Sequence, residues 1–230
     1  MATPGQLVSK LSEILTIPEP TMGMYDRVLR DAGLLSKGGR GRSAVQRTSL
    51  DTARLLIAPL VTSSPARAAE AVEDFGVLEC HELHLKNPDA LTLSKLCGVA
   101  FESVHTLESA VSAIIDGFGN GNFVSRLEEA ASNFHGGREV LPHIGIKVWD
   151  TKVAAEINIS GNLYIYHHPS LIKAIKTPLH PPNNAQSSQN LHNDYDVISS
   201  KYRGIRTCRE LTMVEIKPIA EFVCGIDAEH

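Results

Sequence analysis

The chain has 230 residues, of which 43% are hydrophobic and 21% charged, a composition typical of globular proteins rather than disordered or fibrous ones. Its formal net charge is −4, and no apolar run approaches the roughly 18 residues that a membrane-spanning helix needs. The N-terminal residues lack the basic and apolar segments of a secretory signal, so we expect a cytoplasmic protein with its four cysteines reduced.

The charge is unevenly distributed along the chain. Residues 1–67 carry nine Lys or Arg against five Asp or Glu, whereas residues 68–230 carry thirteen against twenty-one. A basic N-terminal part on an acidic remainder is typical of a DNA-binding module joined to a domain that does not contact DNA. We therefore predict two domains, residues 1–62 for DNA binding and residues 65–230 for oligomerisation and partner contacts, and call them the head and the body.

The head begins with two predicted helices. Apolar residues recur at helical spacing in the first, from Leu7 to Leu15, and Thr3 suits its N-cap. Pro18 interrupts the pattern, and a second helix follows that ends at Gly33. The apolar side of the second helix is predicted to consist of Met24, Tyr25, Val28 and Leu29. Its other side would present Thr21, Met22, Arg27 and Arg30 to the major groove.

Residues 36–48, SKGGRGRSAVQRT, form a segment that is both basic and rich in glycine, which we call the basic segment. Glycine lets the backbone approach a duplex closely, and arginine binds phosphate or enters the minor groove. From Arg27 to Arg47 the chain has six basic residues and one acidic residue, Asp31. A third helix is predicted to follow, with Ser49 as its N-cap. The predicted DNA-binding residues are Thr21, Met22, Arg27, Arg30, Lys37, Arg40, Arg42 and Arg47.

This order of parts resembles the winged helix-turn-helix head of MerR-type regulators, over about residues 7–60. The resemblance rests on the short first helix, Thr21 and Tyr25 on the second, the AGLLS exit at 32–36, the Arg-rich wing, and the SLD start at 49–51. It implies a DNA-binding head alone, because no predicted helix is long enough for that family's coiled coil. At the end of the wing, Arg40-Gly41-Arg42 stands where the family usually has Arg-Tyr. The glycine-rich wing and the body also resemble small phage or prophage regulators.

The body is predicted to begin with helices and to continue with strands. Helices are predicted at residues 65–78, 89–97, 106–117 and 122–134. Strands are predicted at 144–150, 152–160 and 163–168, with a tight turn at Gly161-Asn162, and further strand-like material at 204–218. Residues 177–200, rich in Pro, Asn, Ser and Gln, read as a long exposed loop. The predicted fold class is α+β, a winged helix-turn-helix followed by a helical segment and an antiparallel sheet.

The body offers few residues for catalysis or metal binding. Cys80, His81 and His84 are of types that bind zinc, but they lack a second ligand pair and are predicted to lie in a solvated turn. His167 and His168 are predicted to be exposed, beside the long loop. Without a nucleophile motif or paired catalytic carboxylates, we expect neither enzyme activity nor a cofactor or metal.

These observations predict a sequence-specific, DNA-binding transcriptional regulator that binds double-stranded DNA as a homo-oligomer. The alternative is a phage DNA-packaging or replication component, in which the head recognises a DNA site and the body builds a ring or recruits an enzyme. The mass in solution separates the two, because a dimer favours the regulator and a large ring favours packaging.

Overall fold

A computed structural model of the chain describes residues 2–37, 46–85, 92–97, 105–119, 123–126, 143–149, 153–176, 197–202 and 208–225. The fold is α+β, as predicted, with helices packed on a five-stranded antiparallel sheet. The centre of the basic segment, residues 38–45, lies outside the described residues, as do most of the predicted helix at 122–134 and most of the predicted loop at 177–200.

Most of the described helices come first in the chain, and four of the five described strands follow them. The helices are α1 (Pro4–Leu15), α2 (Glu19–Asp31), α3 (Ser49–Val61), α4 (Ala68–Gly76), α5 (Leu93–Cys97), α6 (Leu107–Gly119), α7 (Pro169–Lys176) and α8 (Met213–Cys224). The strands are β1 (Glu79–His84), β2 (Ile144–Trp149), β3 (Ala154–Ile159), β4 (Asn162–His167) and β5 (Cys208–Thr212). Their order across the sheet is β1-β4-β3-β2-β5. A 3-10 turn at Pro65–Arg67 precedes α4, and residues 123–126 and 197–200 form short helical turns.

Side-chain caps define the ends of the helices in the head. The Thr3 side chain accepts a hydrogen bond from the Gln6 N–H while the Gln6 side chain accepts one from the Thr3 N–H, which confirms Thr3 as the N-cap of α1. Gly33, at φ 80°, follows α2 as predicted. The N-cap of α3 is Thr48 rather than Ser49, because Thr48 forms the same reciprocal pair of bonds with Asp51.

The sheet follows the predicted strands closely, with a one-residue correction at its hairpin. Strands β3 and β4 pair Ile159 with Asn162, so the two turn residues are Ser160 and Gly161 rather than Gly161 and Asn162. Their φ angles, 48° and 95°, are both left-handed, as a tight hairpin turn of the primed type requires.

Three parts of the body differ from the prediction. The segment around Cys80 is not a turn but the edge strand β1, which pairs with β4. Helix α7 was not predicted. The predicted strand at 204–218 is strand only as far as Thr212, where a capping box between Thr212 and Glu215 begins α8. Apolar residues at helical spacing, Ile216, Ile219, Ala220 and Val223, then hold α8 in the core.

Buried side chains of the head and the body belong to one continuous hydrophobic cluster. Helix α3 packs against α4 and α6, and α1 packs against α8. An ion pair reinforces the contact between α3 and α6, because Arg54 on α3 pairs with Glu108 on α6 at 2.9 Å. The predicted boundary near residue 62 therefore does not coincide with a gap in the core, and the assignment of separate domains stays a prediction.

Candidate nucleic-acid interface

Helices α1 and α2 pack together and are joined by only three residues, Thr16 to Pro18. The connection is fixed by Ser12, whose hydroxyl donates to the Ile17 carbonyl at 2.6 Å and whose carbonyl accepts from the Ile17 N–H at 3.2 Å. Two packed helices with a three-residue turn are the arrangement of helix-turn-helix units, in which the second helix enters the major groove. The helix-turn-helix assignment stays a prediction, and so does its winged form, since residues 38–45 are not described.

Helix α2 has one buried and one exposed face. The buried residues are Met22, Tyr25, Asp26 and Leu29, at the three- and four-residue spacing of a helix stripe. Met24 lies on the opposite face and is 54% exposed. The predicted faces are thus wrong for both methionines, and Met22 cannot contact DNA because its side chain is fully buried.

The exposed face of α2 carries two arginines. The Arg27 Nε lies 3.8 Å from the Asp31 carboxylate, and these side chains are 78% and 72% exposed. The Arg30 Nη2 lies 3.1 Å from the Asp26 carboxylate, with the arginine side chain 46% exposed. The Arg27–Asp31 pair is exposed on both sides and contributes about 0–1 kcal/mol, so the Arg27 guanidinium can exchange its carboxylate for a phosphate or a base at little cost. The partner of Arg30 is the buried Asp26 carboxylate, which also binds Arg47, so Asp26 keeps a cationic partner when Arg30 turns to another group.

Arg47 lies in the interior of the protein and not on its surface. Its side chain is buried, its Nη2 donates to the Asp26 carboxylate, and its Nη1 donates to the Ser36 carbonyl at 3.0 Å. Its backbone N–H donates to the Ala2 carbonyl at 3.1 Å. The prediction that Arg47 contacts DNA is therefore wrong, since its side chain is only 1% exposed and is held by these partners.

Contacts with Asp51 hold the two ends of the basic segment together. The Ser36 N–H, where the chain enters the segment, donates to Asp51 Oδ1 at 2.8 Å, and the Thr48 N–H, where it leaves, donates to Asp51 Oδ2 at 3.0 Å. Burial acts to raise the pKa of Asp51, but these N–H bonds and the charge of Arg47 outweigh it and keep the pKa below its ordinary value. The basic segment thus starts and ends at one anchored point beside α2.

The remaining predicted DNA-binding residues are divided between the surface and the undescribed region. Lys37 is exposed at the start of the basic segment, and Thr21 is half-buried at the edge of a cavity. Arg40 and Arg42 lie outside the described residues.

The other candidate groups are dispersed. Burial raises the pKa of the half-buried Cys80 thiol to about 11, and His84 pairs with Glu82 at 3.2 Å on an exposed edge. His168 is buried rather than exposed, and burial lowers its pKa. In the part of the chain that the structure describes, no three His, Cys, Asp or Glu side chains are grouped to hold a metal ion.

None of the described helices combines the length and the apolar character needed to cross a membrane. Comparison of the chain with models of protein families, with curated protein sequences and with solved structures gives no match.

Proposed function

We propose that the protein binds double-stranded DNA through α2 and the basic segment, and that it acts as an oligomeric transcriptional regulator in the cytoplasm. The observation that carries this proposal is the position of the exposed Arg27 and Arg30 beside the anchored ends of a segment that contains Lys37, Arg40 and Arg42. The two ends of the basic, glycine-rich segment are anchored beside α2. A helix and a segment in this arrangement can contact one groove and the adjoining phosphates together.

The two arginines of α2 supply the base contacts. They lie three residues apart and so share one side of the helix. Each can bind guanine through two hydrogen bonds, and the exposed Met24 beside them suits the methyl group of thymine. Lys37, Arg40 and Arg42 supply phosphate contacts, which add affinity without sequence preference.

The acidic body sets how the chain assembles on DNA. Its excess of seven negative charges, twenty-one Asp or Glu against fourteen Lys or Arg, disfavours contact with phosphates, so a surface of the body is free to bind another subunit. One helix-turn-helix covers about half of a typical operator, and tight specific binding therefore requires two heads spaced near one turn of the duplex.

The experiment begins with selection of preferred duplexes from a random pool by the full chain. Binding is then measured across salt concentrations for Arg40→Ala/Arg42→Ala, with Arg126→Ala, an exposed arginine on residues 123–126, as the control. Loss of two phosphate contacts should flatten the slope of log affinity against log salt by roughly two units, on selected and random duplexes alike. The control should keep the slope of the parent.

Base contacts are tested by repeating the selection with Arg27→Ala and Arg30→Ala. Loss of one arginine–guanine contact should cost about 1–3 kcal/mol of discrimination at one base position and little affinity for random DNA. A parent that selects no duplex contradicts DNA binding itself, and an unchanged sequence preference in both variants restricts these arginines to phosphate contacts.

A further inference from the structure

A cavity of about 500 Å³ lies where the end of α1 and the first half of α2 meet the second half of α3 and strand β5. Most of its wall is apolar and comes from all four elements, through Leu15, Ile17, Tyr25, Leu56, Leu60 and Leu211. Sites for small organic ligands have about this volume and this mainly apolar lining, with a few polar groups that orient the ligand.

The charged group in this wall is Arg209. Its Nη1 donates to the Pro59 carbonyl at 2.5 Å, and among the described residues no carboxylate forms an ion pair with it. Its neighbour Glu210 also borders the cavity but pairs with Lys147 at 3.5 Å. The Tyr25 hydroxyl donates to the Thr62 carbonyl at 2.6 Å and is uncharged, so it does not neutralise the arginine. Within the described part of the chain, a guanidinium without a carboxylate partner therefore borders a mainly apolar space.

We infer that this cavity binds a small carboxylic acid with an apolar body. The guanidinium of Arg209 matches a carboxylate in shape and charge, and the apolar wall removes the rest of such a ligand from water. A ligand with two or more negative charges fits less well, because a single arginine cannot neutralise it and Glu210 would repel it.

The position of the cavity gives the ligand a regulatory role, an extension that rests on the proposed DNA binding. Thr21 and Tyr25 belong to α2, whose other face is proposed to contact bases, and Arg209 and Leu211 belong to β5. A ligand that contacts both elements fixes α2 relative to the sheet and so changes the affinity for DNA. By linkage, DNA must change the affinity for the ligand by the same factor.

The binding site is tested by calorimetric titration of the full chain with octanoate and 4-phenylbutyrate, each beside its neutral amide. Both carboxylates should bind saturably and about tenfold or more tighter than the amides, the difference expected of a charge-assisted hydrogen bond. Arg209→Gln should remove that preference. Arg126→Gln is the control, because Arg126 likewise donates to a backbone carbonyl, that of Lys95 at 2.7 Å, but does not line the cavity.

A second variant tests the site while leaving Arg209 and its hydrogen bond to the Pro59 carbonyl in place. Ser63 is exposed and lines the cavity, so Ser63→Trp should obstruct the cavity without disturbing the core and should abolish binding of both carboxylates. Absence of saturable binding to the parent, equal binding of acid and amide, or full binding by Ser63→Trp would overturn the site.

The regulatory role has its own readout, the affinity for a selected duplex with and without octanoate at saturation. We expect a change of at least fivefold in the parent and none in Ser63→Trp. Octanoate binding without this change overturns the regulatory role and leaves the site. A parent that binds octanoate but selects no duplex contradicts the proposed function and not the site.

Discussion

Helices α2 and α3 have the same length, thirteen residues, but opposite relations to solvent. Helix α3 buries ten of its residues and α2 only four. Helix α3 is enclosed because α4 and α6 pack on it and the sheet approaches its second half, whereas α2 packs through one stripe and leaves the other side to water. The difference fits a supporting role for α3 and leaves α2 with the exposed face that the proposed function requires.

The charges follow the same division. On α2, Arg27 pairs with Asp31 at the surface, where water and salt weaken the attraction. Below the same helix, Asp26 and Arg47 form an ion pair that is shielded from solvent. Surface charges of α2 can change partners, while the pair beneath it fixes the helix to the chain that follows.

The largest expected effect comes from separating α3 from the body. A fragment that ends at residue 62 exposes the sides of α3 that pack on α4 and α6, so we expect it to lose cooperative unfolding. Circular dichroism during urea titration of the fragment and the full chain measures this. A fragment that unfolds cooperatively as a monomer would show that α3 does not need the body, and would restore the head as an independent domain.

The second effect contrasts the buried and exposed charges directly. Arg47→Ala leaves Asp26 in the interior without its main partner, and we expect a loss of about 3–5 kcal/mol in the free energy of unfolding. Arg27→Ala removes an exposed pair and should cost less than about 1 kcal/mol. Chemical denaturation of both variants gives the comparison. Equal losses would contradict the burial of Arg47.

Local sequence signals were sufficient for the parts of the fold that depend on neighbouring residues. The cap at Thr3, the end of α2 at Gly33 and the strands β2 to β4 follow from hydrogen bonding and periodicity within a few residues. The boundary between β5 and α8 was missed, although Thr212 and Glu215 carry a capping-box signal at the right spacing. The β-branched residues after Thr212 favoured a strand and masked that signal.

The candidate interface was less predictable, because its errors depend on contacts between distant residues. Met22 and Met24 are equally apolar, and only the packing of α1 and α2 determines which is buried. Arg47 belongs by sequence to a basic run, yet Asp26, twenty-one residues earlier, holds it in the interior. A charge pattern therefore cannot distinguish arginines at the surface from arginines that are buried in ion pairs beneath it.

The third effect tests the anchor of the basic segment through pH. The folded state lowers the pKa of Asp51, so its carboxylate stabilises the fold above a pH of about 4 and loses this effect as the pH falls through the folded pKa. Asp51→Asn should cost about 1–3 kcal/mol at pH 7, and its free energy of unfolding should converge with that of the parent in acid. Asp31→Asn, at an exposed position on α2, is the control. A difference that stays constant from pH 7 to pH 3 would contradict a charge-dependent anchor.

The smallest effect concerns the turn that presents α2. Thr16 is held at φ 52° and ψ 35°, a left-handed conformation that disfavours residues with a Cβ atom. Thr16→Gly should raise the free energy of unfolding by about 0.5–1 kcal/mol, because the relief of strain exceeds the entropy that glycine adds to the unfolded chain. Ser9→Gly, at an exposed position inside α1, should lower it by about 0.5 kcal/mol, since glycine there has only the entropic cost. Opposite signs in urea denaturation would establish the left-handed turn, and two losses of similar size would contradict it. A stabilised Thr16→Gly with unchanged duplex affinity would also separate the rigidity of the turn from the DNA contacts proposed for α2.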